Sequence, residues 1–417
     1  MLNFLMQAAI VPFLSILEKW LFFGILEDLH GEFFVEERSS VGFADDTKLK
    51  YEENYWNDKY ILNPKKVPVF LENVATKIFL TGKYVNVIKV YDPKRAFERR
   101  IDLSRDYVFT LHSDDIRACV DQTFEAANAA LLDIMLGSER LVAILKSMKK
   151  YFFMEHGDYF LHFLDLAESE MAKSGKHISA DKLSNFLEIA IKTSSAANDE
   201  FSDRVSCLLT PYTTFEVLQA FNHYSNLREN RRLDFEAQNT AANFYGSKKG
   251  FEIFAIKYKI RFPLNLVLTE QTLFKYQLLF RYLLQLKYPE RQLSLTWHML
   301  MENRDLSNNL FFRRVTATLQ QMIHFNRSIT YHFLIDVIQR KWEELIAALE
   351  AGPKSFEHVI ALHEAFLQGV FQDSLIFEPG LKAELNTMNG FINFFCENMR
   401  NLIGDAVNYQ YQNVLVG

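Results

Sequence analysis

FAIKYKIRFPLNLVLTEQTLFKYQLLFRYLL, residues 254–284, holds the two patterns that decide the fold. In its first part Phe254, Ile256, Tyr258, Ile260 and Phe262 alternate with Ala255, Lys257, Lys259 and Arg261. That is the period of a β-strand with one apolar and one cationic face. Pro263 ends the strand, and Leu264 to Leu268 continue as extended chain. Thr269 then caps a helix with Glu270 in its first turn, where a carboxylate meets the positive end of the helix dipole. Leu273, Tyr276, Phe280, Leu283 and Leu284 follow at helical spacing.

Outward from this segment the helical pattern recurs and the strand pattern does not. Toward the N-terminus, helices are expected over Gln7 to Leu26, from the Pro64/Pro68 entry through Phe70, Val74, Ile78 and Phe79, and from Asp114 to Tyr151 with Gly137 as a weak point. Another starts at Ser179-Ala180-Asp181-Lys182. Toward the C-terminus they are expected from Leu306 to about Leu349 with an interruption, from Ser355 to Phe371 and from Glu378 to Met399. Residues 38–58, 194–213 and 226–250 read as polar loops and connectors. The fold class is therefore all-α: elongated stacked helical bundles with a small β-hairpin or strand element near residues 252–268.

Composition agrees. The 417 residues contain only 15 glycines and 9 prolines, about half of average usage, which argues against a turn-rich β-sandwich or barrel. Phenylalanine is abundant, with 38 copies, and a chain of this length can bury a large core built on such rings. The net charge of −6 is not that of a nucleic-acid binder. Cys119, Cys207 and Cys396 stand far apart with no CxxC pair, so neither a disulfide framework nor a cysteine zinc site is expected, and a reducing compartment is. The uncharged run Leu2 to Leu17 is interrupted by Gln7 and Pro12 and lacks the basic start of a signal peptide. It reads as core helix, with no membrane insertion.

Catalytic patterns are missing. Gly82-Lys83 lacks the rest of a phosphate loop, and no G-x-S-x-G or H-E-x-x-H occurs. Asp45-Asp46 and Asp114-Asp115 lack the third aspartate of a magnesium-binding acidic motif. His156, His162, His358 and His363 are too scattered for a metal site. A binding or scaffold protein without cofactors is expected rather than an enzyme. Lys257, Lys259 and Arg261 leave two readings open: an edge strand kept soluble by cations, or a docking face for an acidic partner.

Several segments, in order, resemble the gamma-tubulin complex components, the Grip-motif proteins. They are Gly31-Glu-Phe-Phe-Val-Glu36, Trp56-Asn-Asp-Lys-Tyr60, Val67-Pro-Val-Phe-Leu71 and the run from Ala75 to Val87. Leu145 to Phe152, with Gly157-Asp-Tyr-Phe160 and Phe163-Leu-Asp165, is similar to the start of the family's C-terminal domain. Tyr258 to Leu264, Tyr276-Gln-Leu-Leu-Phe280 and Glu290-Arg-Gln-Leu293 resemble its centre, and His363-Glu-Ala-Phe-Leu367 a stretch near its end. Tyr151 to Asp158 and Glu290 to Leu293 look most like the second component, the partner of component three.

The resemblance implies a tail of the N-terminal Grip domain plus connecting helices over 1–135, a C-terminal Grip domain over 136–400 and a divergent tail over 401–417. Family members usually carry a longer N-terminal domain, so a truncated or divergent member, or a partial gene model, is expected. The implied function is a scaffold subunit that binds gamma-tubulin, assembles with other components, especially a component-three-like one, and templates microtubule nucleation. Its place would be the cytoplasm and cytoskeleton, at a microtubule-organising centre or spindle pole. Any GTP would belong to gamma-tubulin. The implied contacts are Lys257, Lys259 and Arg261, with Phe262, Pro263, Asn265, Lys275 and Arg281 beside them. The alternative is a helical tethering or adaptor scaffold that binds no tubulin.

Overall fold

The computed structural model describes residues 2–37, 51, 55–93, 113–155, 157–210, 250–303, 309–374 and 378–416. Most of the expected 38–58 loop, the connector residues 211–249, Asp45-Asp46, His156 and the expected helix start at Leu306 lie outside the described residues. The described chain is all-α apart from two small two-stranded antiparallel sheets. No described helix is long and apolar enough to cross a membrane.

The chain divides into two compact units, one of residues 1–143, 260–270 and 351–361, the other of 144–259, 271–350 and 362–417. The first unit holds α1 (Leu2–Phe23), α2 (Ala75–Tyr91) and α3 (Ser113–Leu132), with β1 (Val35–Glu37) paired to β2 (Tyr60–Leu62). Its core joins Leu17, Trp20 and Leu21 of α1 to Ile78, Val85 and Ile88 of α2 and Val120 and Leu131 of α3, all buried. Trp20 donates its indole N–H to the Ile78 carbonyl at 2.9 Å. The indole lies over Gly82, where any Cβ would collide with it. The glycine that failed as a phosphate loop is thus the place where α1 and α2 meet.

After α3 the helix loosens into a π-helical segment, Asp133–Ser138, which contains Gly137. Then follow α4 (Leu141–Phe152), α5 (Gly157–Met171) and α6 (Ala180–Thr193). Ser179 caps α6 by accepting from the Lys182 N–H at 3.4 Å. Next come β3 (Val205–Leu209), β4 (Phe254–Tyr258), α7 (Glu270–Glu302) and α8 (Leu310–Tyr331). A second π segment, His332–Gln339, joins α8 to α9 (Arg340–Glu350) and is the expected interruption. The last helices are α10 (Phe356–Asp373) and α11 (Pro379–Val416), the latter unbroken through Asn401.

The second unit packs on aromatic rings. Phe254 stacks on Phe163 with centroids 5.0 Å apart and meets Phe280 of α7 at 5.9 Å, while Phe160 lies edge-on to Phe280 at 6.1 Å. Tyr276, Phe280 and Leu284 form the expected buried stripe of α7. A second cluster gathers Leu293 and Leu300 of α7, Phe312, Val315 and Leu319 of α8, and Ile392, Cys396, Met399 and Ile403 of α11.

The strand differs from the expectation in length and partner. β4 stops at Tyr258, because it pairs with β3 and that strand begins only at Val205, opposite Tyr258. Lys259 adds one bond beyond the ladder, N–H to the Arg204 carbonyl at 2.8 Å. Leu264–Leu266 is a 3-10 turn rather than extended chain.

Candidate functional site

The residues expected at the partner contact divide between the two units. In the second unit Lys257 and Lys259 are exposed. Neither is ion-paired to a described residue, and their neighbours Ile256 and Tyr258 are buried. Lys275 is half-buried and held by Glu364 at 2.7 Å. Arg281 is buried at 3% exposure, its guanidinium donating to the Glu252 carbonyl. Helical phase put Arg281 beside the Phe280 stripe, and the fold uses its charge to bind the chain entering β4. It is therefore not a surface contact.

In the first unit Arg261 is exposed, Phe262 is half-buried and Pro263 is buried. The Phe262 ring meets Tyr51 edge-on at 5.4 Å, and the Asn265 side chain donates to the Tyr51 carbonyl at 2.6 Å. The strand pattern, which puts Phe262 on the apolar face with Phe254, would also pack it against the α7 stripe. Phe254 holds that position instead.

Of the other singled-out groups, the cysteines and His363 are taken up by packing, while His162 and His358 are exposed. Cys119 and Cys396 are buried, Cys207 is half-buried and all three are free; burial pushes the Cys207 thiol up to about 12. His363 is buried, and Tyr276 Oη lies 2.9 Å from its Nε2. Among the described residues no group of His, Cys, Asp and Glu is placed to hold a metal ion.

Two surface features of the second unit escaped the motif search. The first is a cavity of about 880 Å³ lined by Trp297 and His298 of α7, by Ile323, His324, Arg327 and Tyr331 of α8, and by residues including His332 and Asp336. Among its polar groups, Arg327 pairs with Glu290 at 3.6 Å, and His332 Nδ1 lies 2.9 Å from Asp336 Oδ2.

The second is an apolar surface on α8 and α11. Phe311 and Phe325 of α8 are 51% and 39% exposed, and Phe391 and Phe394 of α11 are 67% and 68% exposed. Met388 and Leu402 continue the stripe on α11. Contiguous apolar patches mark contacts with other molecules, whereas rings exposed singly are ordinary on a protein surface. A signal was present in the sequence: the apolar positions of α11 cover more of the helix circumference than one packed face requires.

The family model described as Gamma tubulin complex component N-terminal matches residues 1–137, and that described as Gamma tubulin complex component C-terminal matches residues 141–413. The chain is 30% identical to mouse gamma-tubulin complex component 2 over 380 residues, 91% of this chain and 41% of the relative. It is 27% identical to the Drosophila melanogaster component 2 homolog over 377 residues, 90% and 42% of the two chains. It is 26% identical to the spindle pole body component alp4 of Schizosaccharomyces pombe over 422 residues, 90% and 53%. The chain spans about two-fifths to half the length of these relatives. Two family matches in chain order, the second over most of the sequence, assign it: the chain belongs to the gamma-tubulin complex component family.

Proposed function

We propose that this chain is a non-catalytic scaffold subunit that binds gamma-tubulin and, with other components of the complex, including a component-three-like neighbour, arrays it to template microtubule nucleation. The observation that carries this reading is the match of the C-terminal family model over residues 141–413. The mechanism is positional. A nucleus assembled from free subunits loses translational and rotational freedom at every addition, and holding several subunits at the spacing of the polymer end removes that cost. The exposed cations Lys257 and Lys259 supply electrostatic attraction for an acidic partner. The spindle pole body relative supports a place at a microtubule-organising centre.

The test is retention of purified gamma-tubulin by the immobilised chain at micromolar concentration. Stoichiometric retention is expected. Its absence, with the chain folded, favours a helical tethering scaffold that binds no tubulin.

A further inference from the structure

The cavity between α7 and α8 is built from two helix faces. Trp297 and His298 come from one turn of α7, and Gln320, His324, Arg327 and Tyr331 follow steps of four, three and four along α8. Residues at such steps share one side of a helix, so the groove is set by helical phase rather than by loops. Its volume of about 880 Å³ falls in the range of small-molecule sites, roughly 300–1,000 Å³. The π segment that follows α8 contributes His332 and Asp336 to the lining, and such widened turns are frequent at functional sites.

The lining has an apolar part and a donor-rich part. Trp297 and Ile323 pack against the core cluster shared by α7, α8 and α11, so the indole is a fixed platform rather than a mobile side chain. Tyr331, 61% exposed, adds a second ring. The side chains of His298, Gln320, His324 and Tyr331 bond to no other described residue. Arg327 faces Glu290 through Nε at 3.6 Å, and Glu290 also takes Lys287 at 2.9 Å. The Nη edge of the Arg327 fork has no partner among the described residues, on a side chain that is 63% exposed. Asp336, the one carboxylate of the lining, lies 2.9 Å from His332. An arginine fork held at Nε matches a phosphate or carboxylate, and a ring beside it finds an aromatic face.

We infer that the α7–α8 groove binds a mononucleotide, its base on the Trp297 indole and its phosphate at the Nη edge of Arg327. Neither a ring alone nor an anion alone uses both parts of the lining. His324 stands three residues before Arg327 on the same side of α8 and is placed to add a donor. No bond is made or broken: the ligand is held. The site is independent of the function proposed above.

The experiment is isothermal titration calorimetry of the full chain with AMP, GMP, CMP and UMP at millimolar concentration. The corresponding nucleosides supply the ring without the anion, and inorganic phosphate supplies the anion without the ring. At least one nucleotide should bind about tenfold or more tighter than its nucleoside or phosphate. Trp297→Leu keeps apolar volume and removes the ring platform, while Arg327→Gln removes the fork from an exposed position. Each should weaken binding by about tenfold, and Arg314→Gln, on α8 outside the groove, should bind like the parent. Melting curves establish that each variant is folded, and Arg327→Gln keeps the test decisive should Trp297→Leu fail to fold. A folded parent that binds none of the four nucleotides overturns the inference. Binding that either folded variant leaves unchanged also overturns it, because the ligand then sits elsewhere. Phosphate bound as tightly as the nucleotide leaves an anion site only and overturns it as well. None of these outcomes bears on retention of gamma-tubulin.

Discussion

Tyr276 and His363 share a hydrogen bond of 2.9 Å in the core of the second unit, with the imidazole stacked on the Tyr276 ring at 5.8 Å. Burial, with Lys275 nearby, pushes the His363 imidazolium down to about 4. Folded protein therefore keeps this histidine neutral over a pH range in which the unfolded chain protonates it. Below the unfolded value near 6.5 the unfolded state binds the additional proton, so stability falls as pH falls toward 4 and then levels off. Between pH 7 and 5 this single group should remove roughly 2 kcal/mol of stability. His363→Gln keeps an acceptor for the tyrosine and removes the titration. Urea melts at both pH values should show a smaller loss for the variant, and equal losses would refute the assignment.

Phe280 is fully buried between Phe160 and Phe254. Truncation removes a ring that touches both α5 and β4, and neighbouring helices cannot close such a gap fully. Phe280→Ala should cost about 3–5 kcal/mol, seen as a large drop in the denaturant midpoint. A midpoint shift under about 0.5 kcal/mol would mean that the core repacks freely around the site.

The helices were legible because their signals are local. The stripe of Tyr276, Phe280 and Leu284 is visible as spacing alone, and Ser179 announces its helix by its chemistry. The strand was legible as a pattern but not in extent, since its end is set by β3 more than 40 residues earlier, and no local spacing encodes a partner's length. Arg281 shows the same limit from the other side. A cation next to a buried stripe reads as surface until a carbonyl from another segment, Glu252, is known to meet it. The exposed rings of α11 were visible only as excess apolar residues, because burial depends on which of two adjacent faces α7 and α8 occupy. The family resemblance carried the assignment of the chain further than any residue pattern did, since its segments are spread in order along the sequence and no single short motif holds them.

Gly82 permits the close approach of α1 and α2, and its importance is steric rather than conformational. Adding one methyl group forces the Trp20 indole aside and strains its bond to the Ile78 carbonyl. Ala is the better helix former, so propensity alone predicts a gain for Gly82→Ala. Overpacking should win, with a net loss of roughly 1–3 kcal/mol. Thermal melts monitored by tryptophan fluorescence would check the sign, and a stabilised variant would show that α1 can shift outward at little cost.

Lys257 and Lys259 project from the end of β4 into solvent while Ile256 and Tyr258 face the core. Each exposed charge contributes roughly 0–1 kcal/mol to stability, so Lys257→Glu/Lys259→Glu should melt close to the parent. Binding is another matter if an acidic protein docks near the strand. Reversing two charges lowers the local potential, slows association and weakens affinity, and the loss should shrink as salt shortens the Debye length from about 10 Å at 0.1 M to about 3 Å at 1 M. Gamma-tubulin affinity of the folded double variant, measured at 50 mM and 300 mM salt, separates the two readings of the strand. A several-fold loss at low salt that fades at high salt makes the lysines part of the electrostatic approach. Identical affinities at both salts leave them the role of edge cations, which keep an exposed strand from pairing with another chain.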